Sequence, residues 1–212
     1  TPLTSLVAFA DMLARNQESN LSQRQLQQIT VMQRGSRRLD VLINDLLDVS
    51  NLDAGTFALD RDEFDVRDLI EEISDAFAPT ALGKNQTLKV NFENQSIWLN
   101  GDRDRIAQVI TNLLNNAAKY SGHDTVINLN VARAGTILTC TVQDDGIGMS
   151  EEDQQIMFTP FFRASYAATQ SEPGTGLGLV IVKSIVELHG GSISFQSEKG
   201  VGSTARVTLP NS

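Results

Sequence analysis

From Ser22 to Gly55 the chain contains no proline, and its apolar residues keep a helical period. They fall at Leu26, Ile29, Met32, Leu39, Leu42, Ile43, Leu46, Leu47 and Val49, a spacing that commits this stretch to one long helix with Ser22 as its cap. Leu3, Leu6, Val7, Phe9, Ala10 and Leu13 show the same period upstream, and the polar break Asn16-Gln17-Glu18-Ser19-Asn20 separates the two. Two helices joined by a short polar turn make an antiparallel hairpin. Its stripe Leu39, Ile43, Leu46 follows a heptad-like 4-3 step, with Leu42 and Val49 alongside. This is more apolar surface than one hairpin covers. A second copy completing a four-helix bundle is the expected solution, and packing against the rest of the chain is the alternative.

Beyond Gly55 the pattern becomes mixed α/β. Phe57 to Phe64, Thr87 to Phe92 and Ile97 to Leu99 read as strands, and Val66 to Ala78 as a helix stopped by Pro79. Asp102 is placed to cap a helix running to about Lys119. Val126 to Ala132 and Ile137 to Val142 form a hairpin around Ala134-Gly135. Leu177 to Leu188 is helical, and Ser192 to Gln196 and Thr204 to Leu209 close as strands. Met149 to Pro173 has little periodicity, as expected of a lid or binding loop. The expected organisation is residues 1–55 as a helical hairpin and 56–212 as an α/β domain.

Charge narrows the partners. With 17 Lys and Arg against 26 Asp and Glu, the net charge of −9 disfavours a grip on nucleic acid or anionic lipid. Cys140 is the single cysteine, so no internal disulfide forms, and a reducing compartment is expected. No run approaches the ~18 apolar residues of a membrane span, and Thr1-Pro2-Leu3 lacks the features of a signal peptide. A start at Thr-Pro without Met is expected of a piece of a longer protein.

Three clusters carry chemistry. Asn112 and Asn116 are four apart on one helical face, with Lys119 a turn from Asn116. Amide oxygens ligate hard cations such as Mg²⁺ and lysine contacts phosphate, although these are also readable as solvated helix polars. Asp144-Asp145-Gly146-Ile147-Gly148 follows an apolar strand. Its carboxylate can accept from an exocyclic amine, while a plain glycine turn is the simpler reading. Gly174-Thr175-Gly176-Leu177-Gly178-Leu179 opens a helix, where backbone N–H groups and the helix dipole favour an anion. This run is neither a Rossmann fingerprint, its third glycine coming one residue early, nor a Walker P-loop.

In this order and spacing the clusters resemble the catalytic ATP-binding domain of sensor histidine kinases, within the wider family of Hsp90, MutL and type II topoisomerase ATPases. Asn112 to Tyr120 matches the N box, Asp144 to Gly148 the first glycine box, Phe158-Thr159-Pro160-Phe161-Phe162-Arg163 the F box and Gly174 to Leu179 the second glycine box. Ile185 to Gly191 and Gly200 to Thr204 are also typical of these kinases. The resemblance implies an α+β protein: the hairpin as a dimerisation and phosphotransfer domain, then an α/β sandwich of the histidine kinase and Hsp90 type. It implies ATP and Mg²⁺ as cofactors. Asp144 would read the adenine amine, with Gly146 and Gly148 shaping that pocket. Asn116 would ligate Mg²⁺ with Asn112 as a second candidate, and Lys119 and Tyr120 would sit against the nucleotide. Gly174, Thr175, Gly176, Leu177 and Gly178 would close over the phosphates, with Arg163 reaching them and Phe158 and Phe161 anchoring the lid.

Thr1-Pro2-Leu3-Thr4 resembles the end of the H box, which places the phosphoacceptor histidine ahead of Thr1; neither His123 nor His189 matches it. The resemblance gives Thr1 a role in orienting water for phosphatase activity toward a response regulator receiver domain. The expected function is the cytoplasmic core of a histidine kinase, joined to a membrane only through other parts of its parent. A pseudokinase scaffold and an ATPase that drives conformational change stand as alternatives. Among other residues, His189 reads as structural at a helix end, where a cation complements the dipole, and Cys140 as a buried small hydrophobe. Trp98 reads as core or interface, and Glu151-Glu152-Asp153 as the start of a short lid helix.

Overall fold

The computed structural model describes residues 2–15, 20–93, 96–164 and 174–210. Thr1 and positions 16–19 and 165–173 lie outside them, so the phosphatase role expected of Thr1, the hairpin turn and part of the expected lid do too. The chain divides into two compact units, Thr1–Gly55 and Thr56–Ser212.

The first unit is the hairpin. Helix α1 (Pro2–Arg15) runs beside α2 (Gln23–Asp53). Ser22 caps α2 through a reciprocal box: Gln25 N–H donates to Ser22 Oγ at 3.3 Å, and Ser22 N–H to Gln25 Oε1 at 2.8 Å. Across the hairpin, Asp11 accepts from Gln33 at 2.7 Å and from Arg37 at 2.9 Å. Those hydrogen bonds, chiefly the one from Gln33, hold its carboxyl below the usual carboxylate range. Ala10 and Ile29 are buried, but Leu6, Phe9, Leu13, Met32, Leu39, Ile43, Leu46 and Leu47 stay exposed. A groove of about 490 Å³ runs between the helices, lined by Leu6, Phe9, Leu13, Ile29, Met32 and Leu39 among others.

The second unit layers helices on one face of a sheet. Its elements are β1 (Asp62–Asp65), α3 (Val66–Leu82), β2 (Thr87–Phe92), β3 (Trp98–Gly101), α4 (Arg103–Tyr120), β4 (Val126–Ala134), β5 (Ile137–Asp144), α5 (Glu151–Ile156), α6 (Gly178–Leu188), β6 (Ser192–Glu198) and β7 (Gly202–Pro210). The five-stranded sheet has the order β2-β4-β5-β7-β6; β2 runs parallel to β4 and the other pairs are antiparallel. One cross-strand row, Phe92, Val131, Cys140, Val207 and Ile193, shows the register. β1 and β3 form a separate pair with Phe64 opposite Leu99.

Helix α4 lies between α3 and α6 and over β4 and β5. Its Ile106, Val109, Ile110, Leu113 and Leu114 are buried, each large side chain contributing roughly 1.5–3 kcal/mol. With that stripe fixed inward, Asn112, Asn116 and Lys119 are left half-buried at its flank.

Two sequence expectations need correction. The strand read over Phe57 to Phe64 is confined to Asp62–Asp65, because its partner β3 is only four residues long. Helix α3 does not stop at Pro79 but continues to Leu82: the ring sits on the exposed side, and Gly83 N–H closes the last turn on the Pro79 carbonyl at 3.2 Å. Trp98 is 48% exposed and so is not core. The acidic run Glu151-Glu152-Asp153 forms the first turn of α5, capped by Ser150.

Candidate nucleotide site

The N-terminus of α6 and the C-terminal half of α4 meet at the glycine run. A Cβ on Gly178 would lie 3.6 Å from Asn112 Oδ1, and one on Gly174 only 2.6 Å from Lys119 Nζ. Lys119 also donates to the Tyr120 hydroxyl at 2.8 Å, its ammonium 4.5 Å from the ring centroid. Asn116 is half-buried one turn on from Asn112. Caps from Ser22, Asp65, Asp102 and Ser150 serve α2, α3, α4 and α5, whereas α6 has no side-chain cap. Its first N–H groups thus keep their capacity for an anion.

Thr175 Oγ1 accepts from Leu177 N–H at 3.0 Å, which shapes the turn into α6. Leu177 is 1% exposed, so only its backbone can face a ligand. Gly176 (φ +74°) presses on the backbone of Phe161, 2.7 Å from where its Cβ would be, and accepts from Phe161 N–H at 3.1 Å. Phe161 is itself 65% exposed, and its contact with the glycine run is through its backbone. Phe158 is half-buried under Lys183, whose ammonium is 5.4 Å from the ring centroid, and Arg163 is exposed.

At the other end stands Asp144, the last residue of β5, opposite Ile127 and Ser203. Its Oδ1 accepts from Gly146 N–H at 2.8 Å. Burial pushes its pKa up to about 6, while the hydrogen bond from Gly146 N–H and the nearness of Ser203 and of the Ser121 hydroxyl work the other way. The loop after it is sewn on both sides: Ile147 N–H donates to the Tyr120 carbonyl at 3.1 Å, and Gly200 N–H to the Ile147 carbonyl at 2.7 Å. Gly148 has φ +62°, and a Cβ there would fall 1.9 Å from the Glu198 carbonyl oxygen. A side chain at Gly146 would meet Asp144 Oδ1 at 2.6 Å and the Tyr120 carbonyl at 2.7 Å.

Sequence reasoning missed the supports under α4. Lys84 Nζ donates to the carbonyls of Ala118 and Lys119 at 3.0 and 2.8 Å, and Gln86 Nε2 to those of Ala118 and Gly122 at 3.1 and 2.9 Å. These cap the helix end that carries Lys119 and Tyr120. Lys84 and Gln86 lie more than thirty positions from their acceptors, and no local spacing reveals them. Ser121 follows the asparagine cluster directly and could have been singled out as a buried hydroxyl at a helix end.

His189 lies beside the same layer and corrects its expected charge. It is 5% exposed; Nε2 accepts from Asp102 N–H at 3.0 Å, and Nδ1 donates to the Ile185 carbonyl at 2.8 Å. That pairing needs a neutral ring, and burial lowers its pKa, so it is no cation for the helix end. The Cys140 thiol is pushed up to about 12 by burial and is chemically quiet.

The asparagine amides, the lysine, the uncapped helix and the buried carboxylate suit a nucleoside triphosphate with its cation. Among the described residues no group of three acidic, His or Cys side chains could hold a metal ion.

Residues 101–212 match the family described as histidine kinase-, DNA gyrase B-, and HSP90-like ATPase, and residues 1–55 match the His Kinase A phospho-acceptor domain. Sensor protein GacS of Pseudomonas syringae pv. syringae is 33% identical over 99% of this chain, which spans 23% of that relative's length. The nucleotide-free catalytic domain of histidine kinase ThkA aligns with a TM-score of 0.63 at 29% identity, over 72% of this chain and 96% of that one. Full-length ShkA in complex with AMPPNP shares the fold over 99% of this chain and 43% of its own, with a TM-score of 0.80 at 23% identity.

Proposed function

The chain belongs to the sensor histidine kinase family, and from that premise we propose that it binds ATP with Mg²⁺ between α4, β5 and α6 and directs the γ-phosphoryl group to a histidine ahead of Thr1. From there the group passes to an aspartate of a response regulator receiver domain. The observation that best supports this is the approach of Lys119 Nζ to Gly174, which brings a cation from α4 to the uncapped end of α6.

Asp144 accepts from the adenine amine, a task that requires its ionised form. Gly146 and Gly148 keep the loop beside it clear of side chains where it meets α4 and the β6–β7 turn. At the phosphate end, Asn116 contributes an amide oxygen with Asn112 beside it, Lys119 contributes its ammonium, and the first turn of α6 its N–H groups. Tyr120 orients the Lys119 ammonium through its hydroxyl. Arg163 and the backbone between Gly174 and Gly178 close over the same end. Bound Mg²⁺ offsets charge on the transferring phosphoryl group. The chain's part is positioning and charge neutralisation.

The hairpin supplies the dimer. Its exposed apolar residues on both helices, and the groove between them, are accounted for by a second copy forming a four-helix bundle. Among the described residues no helix is long and apolar enough to cross a membrane.

Transfer is tested with the chain extended upstream of Thr1 to include the histidine, incubated with γ-labelled ATP. Acid-labile label on the protein that chases to a receiver domain is the expected result. Phosphate release with no phosphoprotein would contradict the kinase reading.

A further inference from the structure

Ser121 closes α4 and is buried, 4% exposed. Its backbone N–H is used, donating to the Ala117 carbonyl at 3.0 Å. Its hydroxyl is not: Oγ is shut off from solvent and makes no hydrogen bond of normal geometry, although it lies near enough to Asp144 to favour that carboxyl's charged form. Among the described residues only one other buried side-chain polar atom, Gln86 Oε1, is left in this state. Burying a hydroxyl without a partner is unfavourable, so its retention calls for a physical reason.

The surroundings supply one. The backbone either side of Ser121 is joined to the Asp144 loop, since the Tyr120 carbonyl accepts from Ile147 N–H at 3.1 Å. A hydroxyl able to donate therefore stands beside a carboxylate able to accept. The edge of an aminopurine offers the complement: an exocyclic N–H beside an unprotonated ring nitrogen. An oxopurine offers the reverse, a carbonyl beside a ring N–H, and would set its oxygen against the carboxylate.

We propose that Ser121 is a specificity-determining residue for the base: on binding, its side chain turns from its buried position so that the hydroxyl donates to the ring nitrogen next to the amine from which Asp144 accepts, directly or across one water. This rests on the nucleotide reading above and adds a second contact to it.

The test compares ADP with 1-deaza-ADP, in which that ring nitrogen is a C–H, on the wild-type chain and on Ser121→Ala, by calorimetric titration. The wild type should prefer ADP by about 3- to 10-fold, the worth of one hydrogen bond. Ser121→Ala should weaken ADP by the same factor, leave 1-deaza-ADP unchanged and bring the ratio close to one. The melting temperature of the nucleotide-free variant should hold or rise, because an orphaned polar atom has been removed. A variant that weakens both ligands equally, keeps the wild-type ratio or melts well below wild type overturns the inference. A wild type that binds both equally also overturns it and leaves the nucleotide reading standing. One that binds neither removes that reading and this inference together.

Discussion

Lys119 on α4 and Gly174 in the second glycine box are in such close approach that a Cβ on the glycine would lie 2.6 Å from the lysine Nζ. The atom in the way is the free end of a flexible side chain, so Gly174→Ala displaces the ammonium without straining the fold. Unfolding free energy should change by less than about 1 kcal/mol, while affinity for an ATP analogue falls about tenfold through loss of a charge-assisted contact. Denaturant titration and calorimetry on the same sample separate the two effects.

Gly148→Ala behaves in the opposite way. The positive φ and the Glu198 carbonyl 1.9 Å from the new Cβ are backbone constraints, and neither can move aside cheaply. A loss of roughly 2–4 kcal/mol is expected, read from the urea midpoint, before any effect on ligand is considered.

Acidity acts on the site through Asp144. Its folded pKa, raised to about 6 by burial, means that part of the population is protonated in mildly acidic solution. Nucleotide affinity should therefore fall as pH drops through about 6, and Asp144→Asn should abolish that dependence along with most of the affinity. A wild-type affinity flat between pH 5 and 8 would contradict the role given to this carboxylate.

His189 acts on stability with its own sign. Its folded pKa lies below its unfolded value, so its contribution is intact above about pH 6.5 and is lost as pH falls, when the unfolded chain takes up the proton. Asp144, with a raised pKa, works the other way: its contribution is present at low pH and is lost as pH rises toward about 6. Measured in Asp144→Asn to remove that opposition, unfolding free energy should decline from pH 7 to pH 5. Adding His189→Ala should flatten the decline and cost about 2–4 kcal/mol at pH 7, from the cavity and the unpartnered Asp102 N–H.

Leu39→Glu tests the hairpin. Leu39 is 48% exposed in a single copy and lines the groove. If a second copy covers it, the substitution yields monomer at concentrations where wild type sediments as dimer. Identical sedimentation of both would remove the bundle.

Much of this was legible because it is written in local chemistry. Ser22 and Asp102 announce their helices by capping, Ala134-Gly135 marks the β4–β5 hairpin, and the asparagine and glycine clusters sit on α4 and at the start of α6, with their order along the chain intact. What escaped depends on partners far along the sequence. The Phe57 strand failed because β3 is short, Pro79 was tolerated because its side of α3 faces solvent, and His189 is neutral because Asp102, 87 positions earlier in the chain, donates to it. Lys84, Gln86 and Ser121 gain their roles only once α3, α4 and β5 are packed.

The most direct measurement is calorimetric titration of this chain with a non-hydrolysable ATP analogue, with and without Mg²⁺, beside Asp144→Asn. Binding that strengthens with Mg²⁺ and is lost in the variant is predicted. A folded wild type that binds no nucleotide, or a variant that binds as wild type does, would contradict the site described between α4, β5 and α6.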